Sequence, residues 1–192
     1  MRFFFFKKAI LLLSLAIVLF LFLPLDARAA QINSLSVSMK GDSVFVSARL
    51  VMDPSVIKDL QAGIQKDLVF YVDLFRHWSS WPDEYIKGVR IERYLSCDSV
   101  KGEYMMTTLE RGADEETRYG SCDDLIKNSL VLGGVKLSNL NELTKGRYFI
   151  RVTAESKLRN LPPLLAQMFF FIRDKDFSVY EDSPMITLGD KP

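Results

Sequence analysis

The stretch Phe75 to Tyr85 (FRHWSSWPDEY) gathers the only histidine, both tryptophans, an arginine and two carboxylates. Histidine is the side chain best suited to move protons near neutral pH, and its neutral ring binds metals. A zinc centre needs three or four ligands. One histidine and two distant cysteines do not supply them without carboxylates, and no His-x-x-x-His or Cys-x-x-Cys spacing occurs. Neither a Gly-x-Ser-x-Gly elbow nor a glycine-rich phosphate loop is present. His77 therefore reads as part of a packed strand end, and the sequence assigns no catalytic residue, no metal and no cofactor.

Two other groups of side chains carry chemical content. Asp73, Asp83, Glu84 and Glu92 lie near the aromatics, and tryptophan stacks on sugar rings. Glycoside hydrolases use carboxylate pairs about 5 to 9.5 Å apart, a separation that sequence spacing does not reveal. Asp114-Glu115-Glu116 reads as a solvated loop and Asp123-Asp124 as a helix start; neither has calcium-loop spacing with its glycine. Trp78 and Trp81 admit two readings: they plug the end of the core, or they anchor a contact surface. On the second reading Arg76, His77, Trp78, Trp81 and Tyr85 form the binding site. Leu161 to Ile172 (LPPLLAQMFFFI) is either another core strand or a patch facing a partner or membrane; twelve residues are too few to span a bilayer.

The amino terminus speaks to location. Arg2, Lys7 and Lys8 precede an uncharged run from Ala9 to Leu25, and Ala27-Arg28-Ala29 fits the small-x-small cleavage rule. Residues 1–29 are thus expected to be a signal peptide, with an uncleaved membrane anchor through residues 9–25 as the alternative. Either way residues 30–192 are exported, to the periplasm or facing it from the inner membrane. Of the 25 Lys and Arg and 24 Asp and Glu, residues 1–29 take four bases and one acid, leaving 21 bases, 23 acids and a net charge of −2. Such a balance gives no means of neutralising phosphates, which excludes nucleic acid as a partner.

An oxidising compartment permits a disulfide. Cys97 precedes a turn, after which Glu103 to Glu110 carries the chain about 26 Å away at 3.3 Å per strand residue. The residues up to Cys122 must return nearly fully extended for the two to meet. A Cys97–Cys122 bridge and two small buried thiols both stand open.

The elements that position these residues follow mostly a period of two. Leu35, Val37 and Met39 make one face of a half-buried strand; after a turn at Lys40-Gly41-Asp42, Val44, Val46, Ala48 and Leu50 make the next. Asp53-Pro54 caps a helix with Val56, Ile57, Leu60 and Ile64 as its buried stripe. Leu68 to Trp78 is hydrophobic enough for a central strand. Strands near 85–97 and 103–110 form a hairpin, and Ser121 starts a helix expected to end at Gly133-Gly134. A short helical turn falls near Asn139 to Leu143. Arg147 to Leu158 alternates cleanly, with Tyr148, Ile150, Val152 and Ala154 inward, and Phe177 to Tyr180 reads as a final strand. The fold class is α+β and predominantly antiparallel β: a sandwich-like sheet with two or three short helices inserted, in one domain over residues 30–192.

The leader, "LQAGIQKDLVFYVDLFR", the tryptophan loop, "RYLSCDSVKGEYMMTT" and "LPPLL" followed by aromatics together resemble a bacterial exported family, domain of unknown function 4390. That resemblance implies a bacterial envelope location and carries no activity or site residues with it. The expected function is a non-enzymatic binding module for an envelope protein or other envelope component. The alternatives are a hydrolase of envelope polysaccharide using Asp73, Asp83 or Glu84, and an assembly factor that touches the membrane through residues 161–172.

Overall fold

A computed structural model describes residues 30–158 and 175–189; the leader (1–29) and the apolar segment 161–172 lie outside them. The elements run β1 (Gln31–Lys40), β2 (Ser43–Val51), α1 (Pro54–Gln61), β3 (Lys66–His77), β4 (Glu84–Asp98), β5 (Glu103–Glu110) and β6 (Ala113–Tyr119). They continue with α2 (Cys122–Ser129), β7 (Val131–Asn139), a 3-10 turn (Leu140–Glu142), β8 (Gly146–Leu158), β9 (Lys175–Asp182) and β10 (Ile186–Leu188). Every strand pair is antiparallel. One sheet has the order β1-β2-β7, and the larger has β10-β8-β3-β4-β5-β6 with β9 also on β8. β9 and β10 follow one another along a single edge of β8. Between them the Ser183 N–H donates to Ile150 O (2.8 Å) and the Ser183 hydroxyl accepts from Ile150 N (2.9 Å).

Alternation explains the sandwich. Val44, Val46, Ala48 and Leu50 of β2 and Leu132, Val135 and Leu137 of β7 meet Leu68, Phe70, Val72 and Leu74 of β3 and Tyr148, Ile150, Val152 and Ala154 of β8 in one core. α1 contributes Val56 and Leu60, and α2 contributes Leu125 and Ile126. Both helices begin as their sequences dictate. Asp53 accepts from Ser55 N (2.7 Å) ahead of Pro54, and Ser121 accepts from Asp124 N (3.1 Å).

Several expectations need correction. α2 stops at Ser129, and Gly133-Gly134 lie inside β7, where Gly134 takes φ 63° and the register against β2 shifts between Val46 and Ala48. The glycines serve a bulge rather than a helix end. Asp114 to Glu116 are not a loop but part of β6, an edge strand paired, among the described residues, only with β5. Ile64 falls beyond α1 and is 44 % exposed, because Gly63 (φ 89°) turns the chain out of the helix. Met39, expected on the inward face of β1, is exposed at the end of an edge strand.

β6 also brings the cysteines together. Cys97 pairs with Tyr104 across β4–β5, Tyr104 pairs with Tyr119 across β5–β6, and three residues later Cys122 opens α2. The extended return happens as a strand. Cys97 and Cys122 are disulfide-bonded, with Cα atoms 5.6 Å apart.

Two cations tie the layers, one buried and one half-buried. Lys66, at the start of β3, is fully buried and bonds Asp59 of α1 (2.8 Å) and Asp176 of β9 (2.9 Å). Arg93 of β4 donates to the carbonyls of Ser129 and Val131 and lies 5.3 Å from the Phe70 ring centre. It thereby satisfies a terminal carbonyl of α2, and burial lowers its pKa from the usual arginine value. Helices, disulfide and Lys66 thus close the end where β3 begins; the tryptophan loop marks the end where it finishes.

Candidate functional site

The loop Trp78 to Asp83 joins the end of β3 to the start of β4, and Arg76 faces Glu84 across the ladder. Period two sends Arg76 and His77 to opposite faces, so the expected site residues divide. On the core-side rim, Arg76 lies over the Trp78 ring (4.2 Å) and donates to Lys145 O (2.9 Å), while Trp78 Nε1 donates to Glu84 Oε2 (3.2 Å). Gly146 makes room for this: a Cβ there would lie 3.0 Å from Arg76 Nε. On the outer face, His77 Nδ1 sits 2.9 Å from Asp83 Oδ1, and Tyr85 meets Phe75 edge-on at 5.8 Å.

The tryptophans do not plug the core. Trp78 is 40 % exposed and Trp81, at the loop tip, 78 %; Tyr85 is 58 % exposed. Pro82 and the paired ends of the loop fix its shape, while the Trp81 indole stands in water and Trp78, against Arg76, is partly exposed. Of the two sequence readings, the plug is overturned by this exposure.

Beyond His77 the outer face of the large sheet continues as a polar and aromatic field that sequence reasoning missed. Phe75 stacks on Phe149 of β8 at 5.3 Å. Arg151 forms a two-pronged pair with Asp182 of β9 (2.7 Å for each bond) and spreads over Phe75 (5.5 Å), Phe149 (5.8 Å) and Tyr180 (4.7 Å). Hydrogen bonding to Asp182 raises the Arg151 pKa, and the charge of Asp83 adds to that. Asp73 faces Gly88 on one side and Arg151 on the other. Burial raises its carboxyl above the usual range, against the opposing pull of Arg151. The one signal available in the sequence was Gly88, an isolated glycine in a strand, which marks a close approach.

The four carboxylates near the aromatics do not act as one group. Asp73 lies mid-sheet, Asp83 holds His77, Glu84 holds Trp78 on the other face, and Glu92 pairs with Arg90 (2.8 Å). Among the described residues no group of three or more His, Cys, Asp and Glu is placed to hold a metal ion. No helix among them is long and apolar enough to cross a membrane.

Residues 27–183 match the family described as Domain of unknown function (DUF4390), most of the chain and all of the field just described. The chain belongs to that family. No curated protein and no solved structure matches it. Within this DUF4390 domain, then, geometry alone distinguishes the tryptophan loop from the buried sheet it extends.

Proposed function

We propose that the chain is an exported protein of the bacterial envelope, periplasmic or held at the inner membrane facing the periplasm, and that it works as a non-enzymatic binding module. Its contact surface is the tryptophan loop, with Arg76, Trp78, Trp81 and Tyr85 as anchors and a protein of the envelope as partner. The observation that carries this reading is the exposure of both indoles on a loop held at each end by side-chain hydrogen bonds. Large aromatics set out in water on a pre-shaped loop lose little freedom when covered, which suits them as anchors. Export is supported by the leader pattern and by the paired cysteines, since disulfides persist in oxidising compartments. A pull-down from crosslinked envelopes tests it: the intact chain retains a partner that the folded Trp81→Ala variant loses. Equal retention by both removes the loop from the account.

One observation favours a second reading, hydrolysis of envelope polysaccharide. Asp73 faces Arg151 across the β3–β8 ladder, and burial raises its carboxyl above the usual range, as a general acid requires. Release of reducing ends from purified envelope polysaccharide by the intact chain but not by Asp73→Asn would establish it; no release by the intact chain eliminates it.

A further inference from the structure

A second surface lies farther along β4. That strand has fifteen residues, and β3 pairs with it from Leu95 back to Glu84. On the other edge β5 covers only Ile91 to Asp98, so Glu84 to Arg90 have no strand on that side among the described residues. Among the described residues β7 pairs only with β2, which leaves its other edge open. A cleft of about 390 Å³ runs between these edges, lined by Lys87, Gly88 and Val89, by Lys136 to Asn139, and by Arg111 and Glu142. An open edge with room beside it is a template for strand addition by another chain.

The lining is electropositive. It holds three cations, Lys87, Arg111 and Lys136, and one carboxylate, Glu142. That carboxylate is engaged by Lys87 (2.6 Å), Asn139 (2.7 Å) and Ser138 (3.2 Å). Arg111 sits where turn geometry alone would not put an arginine. Arg111-Gly112 is the two-residue turn between Glu110 and Ala113, with φ 52° and 81°. A turn with both central φ positive favours Asn-Gly, so the arginine stands there against local preference. Its guanidinium reaches across to the carbonyl of Lys136, on the far wall of the cleft. Gly88, on the near wall, leaves the β4 backbone without a side chain, its outer face covered by Asp73.

We propose that the open edge of β4 at Glu84–Arg90, facing the cations Lys87, Arg111 and Lys136, receives an acidic segment of a partner protein in extended conformation. Backbone pairing along β4 supplies the seat and the cations select the charge. This holds whether or not the tryptophan loop is itself a contact. Lysines on a free edge also guard against aggregation. A guard keeps strands off the edge, whereas a seat admits the acidic one and slows exchange beneath it.

Amide hydrogen exchange of the whole exported chain tests the proposal, with two blocked decapeptides as probes, one alternating Thr and Glu, the other Thr and Lys. The Thr/Glu peptide slows exchange across residues 84–90 by about tenfold, less so as salt is added, and the Thr/Lys peptide does not. Lys136→Glu, at an exposed position, weakens that protection by about tenfold while leaving exchange in β8 as it was. No slowing with either peptide, or equal slowing with both, overturns the proposal. So does protection that survives Lys136→Glu, or slowing that follows protein concentration alone, which would mark the edge as a contact between copies.

Discussion

Asp73 occupies the space that a side chain on Gly88 would need: a Cβ at Gly88 would stand 2.0 Å from Asp73 Oδ1 and 3.1 Å from the Tyr85 hydroxyl. The two residues face each other across β3 and β4, so the carboxylate lies on bare backbone in the middle of the sheet. Gly88→Ala must displace Asp73, and overpacking of this kind costs about 1–3 kcal/mol. Urea midpoints check it, and in an Asp73→Ala background most of the loss should vanish. A full loss in both backgrounds would mean that Gly88 answers to the backbone and not to Asp73.

The same carboxylate makes stability depend on pH in an unusual direction. Burial raises the folded pKa of Asp73, so its charged form is the disfavoured one. Stability is therefore lost as pH climbs from the unfolded value of about 3.9 through the folded value. Asp73→Asn should be more stable than the parent at pH 7, and the two should converge below about pH 4. A less stable Asp73→Asn at pH 7 would show that the attraction of Arg151 outweighs burial.

The disulfide closes a separation of 25 residues that contains the whole β5–β6 hairpin. Chain-entropy reasoning assigns such a closure about 3.5 kcal/mol. A Cys97→Ala, Cys122→Ala double variant should lose about that much, and a thiol reductant should lower the parent to the same level while leaving the variant unchanged. Thermal or urea unfolding with and without reductant decides it.

The parts of the fold legible in the sequence were those with local causes. β8 declared itself because it is central, buried on one face by Tyr148, Ile150, Val152 and Ala154. The starts of both helices were legible because capping chemistry acts over three residues. β6 was not, because an acidic edge strand paired, among the described residues, with one other strand needs no apolar alternation. β7 was hidden by Gly133-Gly134, which look the same at a bulge as at a helix end. The site divides the same way. Arg76 to Tyr85 stand out by residue type, but residue type does not tell an indole that fills a core from one that stands in water. Arg151, Asp182 and Tyr180 join the site only through β8–β9 pairing, whose partners lie about thirty residues apart in sequence.

The most direct test of the account uses a photoreactive phenylalanine derivative placed at position 81 and, separately, at position 100. Val100 is 98 % exposed in the β4–β5 turn, at the far end of a strand about 46 Å long, so it serves as an equally accessible control. Trp81→Ala should shift stability by no more than about 0.5 kcal/mol, which keeps the comparison free of unfolding. Illumination of intact cells should crosslink position 81 to a discrete envelope protein and leave position 100 unlinked. Equal crosslinking from both positions, or none from position 81, would contradict a contact surface at the tryptophan loop.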